Sequence, residues 1–119
     1  LLFSAKKGHL ACVKYLLQQN ADINTKNNSG YTGLILSARF GHLDCVKYLV
    51  EKGADIHEKD KWGWTALHES AHNGHVDCVK YLVQQSADIN IRDDWGKTAL
   101  EWAKEEGKHD VVNYLSRQK

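Results

Sequence analysis

The amino-acid sequence predicts an all-α solenoid, about three and a half helix-turn-helix repeats joined by extended polar loops and closed by a polar C-terminal cap. Three observations predict it. One segment occurs three times, as GHLACVKYLLQQNADINTK from residue 8, GHLDCVKYLVEKGADIHEK from 41 and GHVDCVKYLVQQSADINIR from 74, with adjacent copies identical at 12 of 19 positions. Gly8, Gly41, Gly74 and Gly107 recur at an interval of 33, the last opening a weaker copy, GKHDVVNYLSRQK. Within each copy the apolar residues fall three and four apart, the period of a helix that buries one stripe.

Along the chain, residues 1–26 read as an incomplete first repeat, because LLFSAKK matches only the middle of a first helix. Residues 27–59 form the second repeat, where Leu43, Val46, Leu49 and Val50 predict a helix from 43 to about 51. Residues 60–92 form the third. There Leu67 and Ala71 stand four apart after Thr65, a suitable N-cap, so TALHESAHN predicts a shorter helix that stops at Gly74. Residues 93–119 form the capping repeat, opened by the T-x-x-E capping box of Thr98 and Glu101. Lys104 replaces the small Ala5, Ala38 and Ala71, and Ser116 replaces Leu17, Val50 and Val83, which turns a buried face into a solvated one. The connecting stretches, such as ADIHEKDKWGWT, are polar and centred on Gly30, Gly63 or Gly96, where a tight turn needs positive φ. All 119 residues make one domain.

Bulk properties narrow the function. Sixteen basic and fifteen acidic side chains leave a net charge of +1, too little field to hold a nucleic-acid backbone. No apolar run approaches the roughly 20 residues that span a bilayer, so no membrane partner is expected. Three cysteines without CxxC spacing suit the reducing cytoplasm or nucleus. Cys12, Cys45 and Cys78 occupy one place on successive second helices, roughly 8–10 Å apart, whereas disulfide Cα atoms come within about 7 Å. They read as buried free thiols acting as small hydrophobes, and Tyr15, Tyr48, Tyr81 and Tyr114 as packing between helices. The chain opens at Leu1 inside an apolar stretch and reads as a monomeric domain within something longer.

One motif points to catalysis. HESAH at 68–72 has the His-Glu-x-x-His spacing of zinc peptidases, in which His68 and His72 share a helix face, Glu69 serves as general base and His75 follows as a third donor.

The repeat changes how that motif is read. The chain resembles the ankyrin-repeat family over nearly its whole length. The family's T-P-L-H-x-A helix opening appears as TGLILSARFGH, TALHESAHNGH and TALEWAKEEGK, and its G-A-D-x-N as NADIN, GADIH and SADIN. No repeat has the family proline; Gly33, Ala66 and Ala99 stand there, and Gly33 carries the largest entropic cost. At the end of the second helix only Gly53 is the preferred glycine, with Asn20 and the poorer Ser86 in its place elsewhere. The resemblance makes His68 a turn-bracing histidine and His75 part of a recurring Gly-His pair. It leaves Glu69 and His72 at variable positions, so no metal, cofactor or catalytic residue is expected.

In ankyrin arrays the hairpin loops and first helices form a concave face that grips a protein partner. By that resemblance the expected contact residues are Tyr31, Leu36, Arg39, Phe40, Lys61, Trp62, Trp64, Glu69, His72, Trp95 and Trp102, with Trp62, Trp95, Phe40, Arg39 and His72 at the centre. Trp64 also suits plain stacking on the next hairpin. Lys26, Arg39, Lys59, Lys61 and Arg92 lie towards the middle of this face, and Asp94, Glu105 and Glu106 towards its C-terminal end, a pattern suited to an acidic, apolar segment. Asn24 and Asn90 resemble ankyrin asparagines that a 2-oxoglutarate-dependent hydroxylase modifies; an asparagine there also braces the hairpin. The alternatives to a binding scaffold are the zinc peptidase of His68, Glu69 and His72, or an array that tethers or regulates a domain elsewhere.

Overall fold

The 33-residue period becomes four helix pairs. The computed structural model describes residues 1–118; Lys119, the last residue of the expected capping repeat, lies outside them. The first helices are α1 (Leu2–Lys7), α3 (Gly33–Arg39), α5 (Ala66–His72) and α7 (Ala99–Glu105); the second are α2 (Leu10–Gln18), α4 (Leu43–Glu51), α6 (Val76–Gln84) and α8 (His109–Ser116). Each first helix packs on its own second helix and on the first helix of the next pair, giving two layers in a body of 40 × 24 × 22 Å. Among the described residues no strand occurs.

The apolar stripes meet between the layers. Ala5, Ala38 and Ala71 let neighbouring first helices approach, while Val13, Val46, Val79, Leu49 and Leu82 fill the space beneath them. Burying each Val or Leu contributes about 1.5–3 kcal/mol, which is what holds helices of only six to nine residues together. Lys104 and Ser116 are exposed on the last pair, as the capping substitutions require. Asn20, Gly53 and Ser86 all take positive φ, of 68°, 95° and 70°. The left-handed cap is therefore kept even where the residue suits it poorly.

The Gly-His pair has a direct physical reason. His42 Nε2 donates to Lys6 O (2.9 Å) and His75 Nε2 to Arg39 O (3.0 Å), each reaching back to the preceding first helix. The rings lie against Gly8 and Gly41, where a Cβ would stand 2.5 and 2.6 Å from the histidine Nδ1. Each glycine makes room for the next repeat's histidine.

Two expectations need correction at the N-terminal pair. Cys45 and Cys78 are buried, and Val111 fills the equivalent place in α8, so that position takes a small hydrophobe. Cys12 is exposed, because no helix pair in this structure precedes α2 to cover it. For the same reason Tyr15 is exposed while Tyr48, Tyr81 and Tyr114 are partly buried against the core.

Candidate partner-binding groove

The loops are built on one residue per repeat that sequence reading passed over. Asn27 Oδ1 accepts from Ser29 N and Tyr31 N (2.9 and 3.0 Å), Asp60 Oδ1 from Trp62 N and Trp64 N (2.8 and 3.0 Å), and Asp93 Oδ1 from Trp95 N and Lys97 N (both 2.9 Å). Each turn is closed by two backbone hydrogen bonds, such as Asp60 N to Trp64 O at 2.9 Å and Gly63 N to Asp60 O at 3.1 Å, which makes it hairpin-like without a strand. Lys61 N to Ser29 O (3.0 Å) and Asp94 N to Trp62 O (3.1 Å) then join successive loops. The signal was present in the sequence: an Asn or Asp at 27, 60 and 93, at the repeat interval.

The HESAH motif is dismantled by its own hydrogen bonds. His68 Nδ1 accepts from Thr65 N (3.3 Å) and Nε2 donates to Lys97 O (3.2 Å), while His68 N donates to Thr65 Oγ1 (3.4 Å). Burial lowers the proton affinity of the ring, so it stays neutral and braces two repeats. With both ring nitrogens engaged, His68 has no lone pair for zinc, and His75 is committed to Arg39 O. Among the described residues no three His, Cys, Asp or Glu side chains gather as metal ligands. The hydrogen bonds of His68 and His75 thus take up two of the ligands that the peptidase alternative requires.

Glu69 was expected on the partner-facing surface and is instead 1% exposed. Its side chain is enclosed between Arg39 of α3 and Asp60 of its own loop. Burial pushes its carboxyl up to about 8, against the pull of Arg39, whose Nη1 stands 3.7 Å from Oε1, outside hydrogen-bond distance. Asp60 adds to the rise by its charge and by accepting a hydrogen bond from the protonated acid. Asp60 Oδ2 has no other partner. A neutral carboxyl sitting on a carboxyl acceptor is thus the ground state near neutral pH.

Above this pair lies a groove of about 340 Å³ lined by Tyr31, Arg39, Trp62, Trp64, Glu69, His72, Asn73 and Trp95. Asn73 was not anticipated; it ends α5, and its Nδ2 donates to Glu69 O at 2.8 Å. Trp95 is 60% exposed at the rim, and Trp62 lies 6.1 Å from the Tyr31 ring. Trp64 and Trp102 are partly buried, meet edge to face at 5.2 Å and both donate their indole N–H to Asp93 Oδ2, at 2.7 and 2.5 Å. Burial raises Asp93, but four hydrogen bonds outweigh it and hold the carboxyl below its ordinary value. Asp93 thereby fixes both indoles, and Trp64 packs edge to face against the following repeat.

A second groove of about 310 Å³ adjoins the first through Tyr31 and Arg39 and is lined also by Leu2, Phe3, Lys6, Asn27, Leu36 and Phe40. Phe40 is 42% exposed there, whereas Leu36, expected at the surface, is 5% exposed and forms the floor. The equivalent position is buried in α5 as well, because the loops fold over this side of the central first helices. Arg39 links the two grooves, donating to Tyr31 Oη at 2.6 Å and lying 5.6 Å from the Phe40 ring centroid. The basic surround is partly neutralised within the chain: Lys26 pairs with Glu58 (2.5 Å), Arg92 with Glu101 (3.4 Å) and Lys97 with Glu105. Lys61 instead stands 4.9 Å from the Trp62 ring centroid.

Asn24 and Asn90 are both exposed, and the brace at each turn is the preceding acid: Asp22 Oδ1 accepts Asn24 N (2.9 Å) and Asp88 Oδ1 accepts Asn90 N (2.8 Å).

The model of ankyrin repeats in many copies matches residues 1–50, 37–83 and 71–115. The chain belongs to the ankyrin-repeat family. Comparison with curated proteins found no match. Ankyrin repeats are in general protein–protein interaction modules. Among the described residues of this ankyrin array no helix is long and apolar enough to cross a membrane.

Proposed function

We propose that residues 1–119 act as one non-catalytic ankyrin-repeat domain that binds a partner protein along the two continuous grooves, with Trp62, Trp95, Phe40, Arg39 and His72 at the centre of contact. The observation that carries the reading is the aromatic groove itself: seven of the eleven residues expected to touch a partner line it, and its exposed Trp95 has no packing duty comparable to that of Trp64. Large rigid aromatics beside an arginine are the side chains that dominate binding energy at interfaces. The loop and helix hydrogen bonds hold them in place before binding, so little conformational freedom is lost on association. A cytoplasmic or nuclear setting belongs to the same reading.

The test is affinity capture from cell extract with wild type and a Trp62→Ala/Trp95→Ala variant, read by mass spectrometry, with circular dichroism as the fold control. Partners held by wild type and depleted at least about tenfold by a folded variant support the proposal. Equal recovery by both rejects the groove as the binding surface.

A further inference from the structure

We propose that the groove lined by Trp62, Trp64 and Trp95 is a pocket for an alkylammonium group, the lysine side chain of a partner protein, held by the indole rings and the carboxylate of Glu69. The identity of the ligand's bearer rests on the protein-binding reading above; the chemistry of the pocket does not.

Glu69 lines the groove, is 1% exposed, and its Oε1 has no hydrogen-bond partner. A buried carboxyl oxygen beside a cavity and without a partner calls for a donor. The neighbouring N–H groups do not supply one: Trp64 Nε1 is spent on Asp93, Asn73 Nδ2 on the Glu69 backbone, and Arg39 Nη1 donates to Tyr31 at 2.6 Å while standing 3.7 Å from Oε1. The rings around the opening attract cations through their electron-rich faces, as Lys61 shows at 4.9 Å from the Trp62 ring centroid. Glu106, 3.8 Å from His72, adds negative charge at the rim. An ammonium would meet Asp60, Glu106 and, once ionised, Glu69, set against the guanidinium of Arg39 and the Lys61 ammonium beside Trp62.

Binding balances by proton release. Glu69 is protonated when the pocket is empty, because burial raises its carboxyl to about 8. An arriving ammonium stabilises the carboxylate, and the acid's proton leaves to solvent. The groups that face Glu69 are Arg39 and Tyr31 from neighbouring elements and Asp60 from its loop, with His72 on the same groove wall. Arg39 competes with the ligand for the carboxylate.

The probe is n-butylammonium chloride, titrated against the purified chain at constant ionic strength and followed by the indole N–H resonances, with sodium butyrate and tetramethylammonium chloride alongside. Expected is saturable binding of butylammonium, on the order of millimolar, with no binding of butyrate. Its affinity should rise by at least about fivefold from pH 6.5 to 8.5, as the ionised fraction of Glu69 grows. Tetramethylammonium, which cannot hydrogen-bond to Glu69, should bind more weakly. Glu69→Gln, an isostere of the neutral acid, should lose both the binding and its pH dependence, Trp95→Ala should weaken binding, and Arg39→Gln should tighten it. Butyrate binding in preference to butylammonium, unchanged affinity in Glu69→Gln, or no saturation by butylammonium at any pH overturns the assignment. The protein-binding reading stands or falls separately, on partner recovery with the Trp62/Trp95 variant.

Discussion

Replacing Glu69 by glutamine should stabilise the fold, and the gain should grow with pH. Glu69 rises from about 4.5 to about 8 on folding, chiefly through burial. Between those values the unfolded chain releases a proton that the folded chain keeps, so wild-type stability falls as pH rises, by about 1.4 kcal/mol per unit. The side-chain amide introduced by Glu69→Gln would carry no charge and could still donate to Asp60 Oδ2, the atom left without another partner. E69Q is therefore expected to exceed wild type by under about 1 kcal/mol near pH 5 and by about 3 kcal/mol near pH 7, levelling off above the folded value of about 8. Urea unfolding of both proteins, followed by far-UV circular dichroism at several pH values, measures the difference and cancels every other titrating group. A difference that stays flat from about pH 5 to 8, or a variant less stable than wild type near neutrality, would refute the buried neutral carboxyl.

Four further outcomes follow from the scaffold. His68→Ala leaves Thr65 N and Lys97 O without their ring partner, and should cost about 2–4 kcal/mol in urea unfolding. Because burial lowers the proton affinity of His68, the wild type should also lose stability as pH falls below the unfolded histidine value of about 6.5, and His68→Ala should lose less over that window. Gly41→Ala combines a φ of +74° with a Cβ 2.6 Å from His75 Nδ1, whereas Gly53→Ala has a φ of +95° but open space; thermal unfolding should rank Gly41→Ala as clearly the more damaging, by at least about 1 kcal/mol. In native protein a thiol-specific reagent should modify Cys12 quickly and leave Cys45 and Cys78 untouched until unfolding, since burial pushes both of the latter up to about 11. Fast modification of more than one thiol would contradict the packing described.

The fold was legible because repetition writes the same physics several times. A helix of nine residues such as Leu43–Glu51 is marginal evidence alone, but its stripe recurs at Val46 and Val79, and the glycine-histidine contact that joins repeats recurs with it. The capping residues Thr65, Thr98 and Glu101 were readable for the same reason: their partners lie within three positions in sequence. The groove was legible as a set of residue types and not as a geometry. Trp62, Trp64 and Trp95 were placed on the loops by register, but whether an indole serves packing or stands free depends on Asp93, which binds Trp64 from 29 positions away. Glu69 was misplaced because helical register tells which side a residue faces but not what folds over it. Arg39, Asp60 and the loop cover it from outside its own helix, and no local pattern encodes that cover. Cys12 shows the converse. Its place in the repeat predicts burial, and only its position in the first pair exposes it.

The dissociation constant of a purified captured partner, measured by calorimetry for wild type and for the Trp62→Ala/Trp95→Ala variant, tests most directly whether the aromatic groove is the binding surface. A loss of at least about tenfold, with helical content unchanged, is the predicted result. Equal affinity in a folded variant would contradict it and move recognition off the groove.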